Sequence, residues 1–266
     1  MRTLIAPALL LASFTAAPAA LAQTTAQASG SASGQANVGV ALPGATATAA
    51  ATGTSDHDQM VGRLAVGYFG ISDLGAGVAF DGMGNPVRDT NASPYGFTGA
   101  APVVGVRYWL DQMLGLDVGL GMSVVGGAVK NGNASAGRHP FTGVLLHGGV
   151  PLALASAEHF TFEIIPELNV GFAHSRNGNG QESDGGVHFD LGARAGAEVS
   201  FGFMHLPQLS LVGSVGLRFD TDSANTSVTA GAVTNKWSAS RSEFHTTVGP
   251  NPWSIFLNQV AALYYF

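Results

Sequence analysis

The chain contains no cysteine. Disulfide frameworks, thiolate metal centres and cysteine nucleophiles are therefore excluded. Charge is scarce as well. Asp, Glu, Lys and Arg make up 11% of the 266 residues, whereas an ordinary soluble domain carries about 25%. Lysine occurs only at Lys130 and Lys236. The 11 basic residues are outnumbered by 17 acidic ones, so the basic footprint of a nucleic-acid partner is missing. No uninterrupted apolar run reaches the roughly 18 residues that a membrane-crossing helix needs. Charge-driven disorder is excluded too, because such chains are poor in apolar residues and this one is 46% apolar. Glycine is abundant, at 37 residues. An apolar, glycine-rich, charge-poor composition suits a large β structure.

The amino-terminal segment reads as targeting rather than fold. Met1-Arg2-Thr3 forms a short positive stretch, Leu4 to Ala16 an apolar one, and Ala20-Leu21-Ala22 a small-residue cleavage pattern. Residues 1–22 are thus expected to be a secretory signal peptide. Residues 23–60 are mainly Ala, Thr, Ser, Gly and Gln. Too few large apolar groups occur there to offset chain entropy, so a flexible tail is expected. Asp56-His57-Asp58 closes that segment. Adjacent ligands on a flexible tail lack the geometry of a metal site, and no metal is assigned to them.

Beyond residue 60 the apolar residues recur with period two. Phe160, Phe162, Ile164, Pro166, Leu168, Val170 and Phe172 alternate with Thr161, Glu163, Ile165, Glu167, Asn169 and Gly171. Alternate side chains of a strand point to opposite faces, so one face is apolar and the other mostly polar. Leu114 to Val124, Phe189 to Phe201 and Leu209 to Leu217 repeat the split. Residues 141–154 are less regular, because Leu145 falls on the polar side beside His147.

Eight strands are predicted, at about 61–70, 97–110, 114–125, 141–154, 159–173, 187–202, 208–220 and 253–266. A hairpin within 226–247 would raise the number to ten. Most exceed the common strand length and suit the roughly 9–11 tilted residues that cross a bilayer. Short turns at Asp111-Gln112-Met113, Ser156-Ala157-Glu158 and Leu206-Pro207 alternate with long polar connections at about 71–96, 126–140, 174–186 and 221–252. Short turns on one rim and long loops on the other describe an antiparallel up-and-down transmembrane β-barrel. The barrel is assigned to residues 61–266. An even strand number places both barrel termini on the short-turn side. A soluble β-barrel would need a charged exterior, and the polar faces here are mainly Gly, Ser and Asn.

With apolar residues facing lipid, the polar faces line the lumen. That places Arg63, Arg107, Asp117, Glu163, Glu167, Asp190, Arg194, Glu198 and Arg218 inside, together with His147 and His188. Charges in so narrow a space must pair. The expected pairing sets Arg194 and Arg218 near Glu198 and Asp190. The network either fills the lumen as a salt-bridged plug or lines a narrow ion path.

Aromatic residues cluster near strand ends, among them Tyr68, Phe69, Tyr108, Trp109, Phe141, Phe160, Phe201, Trp253, Tyr264 and Tyr265, as in interfacial girdles. The segments "GVRYWLDQMLGLDVGLGM" and "FTFEIIPELNVGF", with the ending Leu263-Tyr264-Tyr265-Phe266, resemble small bacterial outer-membrane β-barrel proteins of the OmpA-transmembrane-domain or OmpX-like type. The resemblance spans residues 60–266. It implies a Gram-negative outer-membrane location with the tail in the periplasm. It also implies contact with outer-membrane lipid and lipopolysaccharide, and an insertion signal at Val260, Ala262, Tyr264 and Phe266 read by the barrel-assembly machinery. A monomer without cofactor is expected, structural or surface-interacting through four external loops, with a narrow pore as the alternative. A lipid-modifying enzyme is a third reading, since His174-Ser175, Glu182, Asp184 and His188 lie around one loop, and Ser240, Arg241 and His245 around another. No family motif surrounds them, and no reaction is assigned.

Overall fold

The computed structural model describes residues 54–88, 92–131, 134–137, 140–176, 181–248 and 260–266. The predicted signal peptide, the tail up to residue 53, and positions 253–259 of the last predicted strand, including Trp253, lie outside the described residues.

The wall is an antiparallel ring. Its strands are β1 (Leu64–Val78), β2 (Tyr95–Trp109), β3 (Gly115–Val125), β6 (Phe141–Gly149), β8 (Phe160–Arg176), β9 (Glu182–Phe201), β10 (Leu206–Ala230) and β12 (Val260–Tyr265). Each pairs with the next, and β12 returns to β1 through Ala65↔Tyr265 and Tyr68↔Ala262. The result is an eight-stranded up-and-down β-barrel, as the alternation predicts. Between β3 and β6 lies a small hairpin of β4 (Ala128–Asn131) and β5 (Ala134–Gly137). β7 (Leu152–Ser156) continues β6 past Pro151 and pairs with β8.

Outside and inside are inverted relative to a soluble domain. Leu116, Val118, Leu120, Met122 and Val124 of β3 are 46–68% exposed, whereas Asp117 and Ser123 between them are buried. The same exchange runs along β8, where Phe160, Phe162, Leu168 and Phe172 face outward and Glu163, Glu167 and Asn169 inward. An apolar belt of this extent on all sides of a closed ring is a lipid-facing surface.

Three predicted features differ. First, the long polar connections are largely strand. β9 runs for 20 residues and β10 for 25, well beyond the roughly 9–11 that span a bilayer. β10 then turns at Gly231 (φ 60°) into β11 (Val233–Thr246), paired from Leu217↔Thr246 to Ala230↔Val233. Thr, Ser and Val recur through this hairpin, and β-branched residues suit a pleated surface whether or not it is apolar. β11 extends the wall alongside β10 without joining the ring.

Second, the fold begins before residue 61. Asp56–Met60 form a short helix, α1, capped by Ser55 in a reciprocal arrangement with Asp58. The Asp56 amide bonds the Glu158 carbonyl, Asp56 Oδ2 pairs with His159 Nδ1 at 2.7 Å, and His57 Nε2 meets the Gln112 carbonyl at 2.9 Å. Glu158, His159 and Gln112 belong to the short turns, so α1 lies across the short-turn rim as a floor. In one of those turns the Asp111 carboxyl accepts the Met113 and Leu114 amides, which hold it below the usual carboxylate range.

Third, the outer half of the β1–β2 hairpin leaves the wall. Pairing shifts between Tyr68 and Gly70, where Gly70 has φ 116°. This bulge turns Phe69 inward, to 6% exposure. Beyond it, β2 no longer pairs with β3, and the hairpin crosses the lumen against the inner faces of β6, β8, β9 and β10. The Val78 amide donates to Thr226 Oγ1 at 2.8 Å, and Tyr95 Oη to the Val187 carbonyl at 2.8 Å. Glycines make the approach possible. A Cβ at Gly186 would stand 1.8 Å from the Gly75 carbonyl oxygen, and one at Gly171 2.3 Å from Leu74. Phe80 near the hairpin tip meets Trp237 of β11 edge-on, 5.5 Å between centroids.

Replacing Gly186 with Ala is expected to push β1 off β9, because the clash is with backbone. Hydrogen exchange would show it: amides of residues 71–78 should lose protection while those of β8 keep theirs.

Candidate functional site

The charged lumen is ordered in levels. At the lowest, Arg107 is 1% exposed. It stands directly across the β2–β3 ladder from Asp117. Its Nε and Nη2 donate to Asp117 Oδ1 and Oδ2, both at 2.8 Å, a two-pronged carboxylate clamp. Its Nη1 reaches Glu163 Oε2 at 3.1 Å and Glu198 Oε2 at 3.0 Å. One guanidinium thus serves three carboxylates from three strands. Glu198 Oε1 accepts further bonds from Ser210 Oγ at 2.5 Å and Tyr265 Oη at 2.9 Å. Trp109 Nε1 donates to the same Tyr265 oxygen at 3.0 Å, and the Arg107 guanidinium lies 5.6 Å from the Trp109 ring centre. His57 of α1 packs edge-on under Trp109, centroids 4.5 Å apart. Floor, aromatics and ion cluster form one stack.

Above it, Arg194 bonds Glu167 Oε2 through Nε at 2.8 Å and Ser214 Oγ through Nη1 at 2.9 Å. The next level joins His147 to Asn169 Oδ1 at 2.8 Å, and Asn169 Nδ2 to Asp190 Oδ1 at 2.7 Å. Phe69, Leu74, Val103 and Leu145 fill the lumen beside these groups, each buried. Higher still, His188 bridges Asp190 Oδ2 at 3.0 Å and Asp222 Oδ1 at 2.7 Å. There the lumen opens into a cavity of about 600 Å³ between the inward hairpin and β9, β10 and β11, lined by His188, Arg218, Asp220, Asp222 and Arg241 among others.

Of the predicted lumen residues, Arg107, Asp117, Glu163, Glu167, Asp190, Arg194 and Glu198 are buried inside. Arg218 faces the cavity, 28% exposed at its side chain. Arg63 is the exception. It precedes β1, just after Gly62 (φ 77°), and is exposed, because the chain is still passing from α1 to the wall. The pairing differs from expectation. Arg194 takes Glu167 on β8, while Glu198 is taken by Arg107. Arg218 lies 2.8 Å from Asp220 on its own strand and 3.9 Å from Asp190. Register decides this: Arg194 faces Ile165 on β8, one inner position from Glu167.

The insertion-signal positions Val260, Ala262, Tyr264 and Phe266 alternate with buried Ala261, Leu263 and Tyr265, and so share the outer face. Trp109 and Tyr265, expected in the girdle, are fully buried, and Phe69 and Phe141 lie inside as well. The sequence held a signal for Trp109: it has the same parity as Arg107. Tyr95 and Asp222 fall in polar segments that the sequence pattern places in external loops, and Asp220 at the very end of a predicted strand, so parity alone does not assign them to the lumen.

The candidate catalytic groups do not assemble. His174 is exposed and Ser175 buried on the opposite face of β8. Ser175 stands across from Asp184, but Asp184 accepts from Thr226 Oγ1 at 2.7 Å. His188 bonds only carboxylates. Ser240 has the opposite strand parity from Arg241 and His245. Asp56, His57 and Asp58 each bond a different partner, so they do not converge on a metal.

No protein-family model matches the chain, and no curated protein matches it. Among solved structures, the chain is similar to Ail, the attachment invasion locus protein of Yersinia pestis, with 12% identity, 78% of this chain and 100% of that chain covered, and a TM-score of 0.34. Barrel and lumen therefore rest on this chain's own strand pairing and side-chain geometry.

Arg107→Ala would leave three buried carboxylates without their cation. Breaking a buried ion group in this way costs about 3–5 kcal/mol. The urea midpoint of the refolded barrel in lipid should fall accordingly, whereas Arg63→Ala should leave it unchanged.

Proposed function

We propose that this chain is a bacterial outer-membrane β-barrel whose lumen does not conduct, and that it acts through the surface it presents outside the membrane. The observation that carries the reading is the stack of Arg107 on Trp109, Tyr265 and α1. It fills the short-turn end of the ring with mutually bonded groups. An eight-stranded lumen has room for side chains and little else. The inward hairpin then occupies the space that the inner-face glycines leave.

The apolar belt supports insertion among outer-membrane lipids, with lipopolysaccharide against the outer leaflet. α1 on the short-turn rim supports a periplasmic amino terminus. Alternating Val260 to Phe266 on the outer face supports recognition by the barrel-assembly machinery. Beyond the membrane, the extended β9, β10 and β11 present mainly Ser, Thr and Asn in place of flexible loops. A rigid polar wall of this kind suits surface recognition more than catalysis.

Planar-bilayer recording of the refolded chain tests the reading. Protein that shows the gel-mobility shift of a folded barrel, heated against unheated, should insert without discrete current steps. Reproducible steps whose size or ion selectivity changes on replacing Arg194 or Glu198 would instead establish a pore.

A further inference from the structure

The upper lumen holds a cluster that neither the barrel's closure nor its surface role uses. On β9, His188 and Asp190 point inward from alternate positions. Directly across the ladder on β10 stand Asp222 and Asp220, respectively. One ligand atom each from His188, Asp190 and Asp220 lies within 4.8 Å of the others, and all three residues are buried. His245 of β11 adds a second imidazole, with Nε2 2.7 Å from Asp220 Oδ2.

Charge gives the cluster its direction. Asp190, Asp220 and Asp222 gather around Arg218, which lies 3.9 Å from Asp190 and 2.8 Å from Asp220, and Arg241 stands across the ladder from Asp222. The neighbouring Arg241 is engaged by Glu243, and Asp73 on the hairpin side of the cavity adds another carboxylate. A metal ion here would take the place of the protons that His188 and His245 share with these carboxylates. Buried carboxylates of this kind are stabilised by pairing or by a metal ion. Asp220 is 7% exposed, and its two oxygens meet Arg218 Nε and His245 Nε2 at ion-pair distance without hydrogen-bond direction.

We infer that His188, Asp190 and Asp220, with His245 in reach, form a site for one divalent first-row metal ion, entered from the external cavity. Imidazole with carboxylate selects zinc and its neighbours over calcium or magnesium, which favour all-oxygen shells. Ligands of a tetrahedral zinc stand roughly 3.3 Å apart at bonds of about 2.0 Å, so closure asks for an inward movement of side-chain ends. Arg218 must withdraw from Asp220, and the cavity of about 600 Å³ beside it gives it space. The ligands sit on paired strands and not on a loop, which fixes their Cα positions in advance.

The test is calorimetric titration of zinc into the full chain, refolded in detergent and stripped with chelator. One equivalent should bind. His188→Gln and Asp220→Asn should each weaken it at least tenfold while keeping the gel-mobility shift of a folded barrel. Zinc added to the unmodified chain should also move the amide resonances of β9 and β10 around residues 188–190 and 220–222, a readout that holds if either variant fails to refold. Absence of saturable uptake would overturn the assignment. So would uptake untouched by both substitutions, resonance shifts confined to α1, or binding of calcium in preference to zinc. Conductance plays no part in these readouts, so a pore would leave the metal site standing, and a failed titration would leave the closed barrel standing.

Discussion

A charge taken out of water must find its counter-charge at once, and in this molecule Arg107 is where that requirement is strictest. The guanidinium is fully enclosed, and Asp117, Glu163 and Glu198 answer it from separate strands. Loss of the guanidinium would leave three carboxylates buried without their cation. Strand register is therefore fixed by electrostatics as well as by the outer apolar face. A slip of one residue would turn every inner group to lipid. The aromatic pair beneath the cluster follows from the same need: Glu198 has acceptor capacity to spare, and Tyr265 and Ser210 use it.

Glycine has a second role here that depends on the first. On the inner face it looks like unfilled volume, the raw material of a pore. Instead, Gly143, Gly171 and Gly186 form a shallow bed for β1, and Leu74 rests on two of them. The lumen thereby holds ion pairs and a helix below, an apolar layer at mid-height, and a charged cavity above. On the proposed non-conducting reading, such a lumen offers a fixed binding surface without a route across the membrane.

The wall was legible because lipid imposes a rule with no exceptions along a strand. Phe160 to Phe172 reports its own inside and outside residue by residue. Leu145 and Ile165, which break the rule on the inner side, report something else: both are buried beside the lumen filling, Leu145 under Leu74 itself. Apart from Arg63, which precedes β1, the predicted lumen charges were equally readable, since parity assigns them once the strand bounds are right. Their partners were not. Pairing depends on which inner positions the register brings level, and one offset gave Arg194 to Glu167. The inward hairpin was hidden for a related reason. A single bulge at Phe69 reverses what parity means, and polar residues beyond it read as loop. Trp109 and Tyr265 show the converse, where residue type points to the rim and parity to the interior.

Tyr265 has one further implication, for the order in which the molecule is made. It belongs to the last wall strand to leave the ribosome, yet it supplies a hydroxyl to a cluster assembled from strands synthesised long before. Until β12 zips onto β1 and β10, Glu198 lacks one donor and Trp109 its acceptor. Ring closure and completion of the cluster's hydrogen bonds are then a single event. A barrel that lacks this strand would have both an open seam and two buried groups, Glu198 and Trp109, each short of one hydrogen bond.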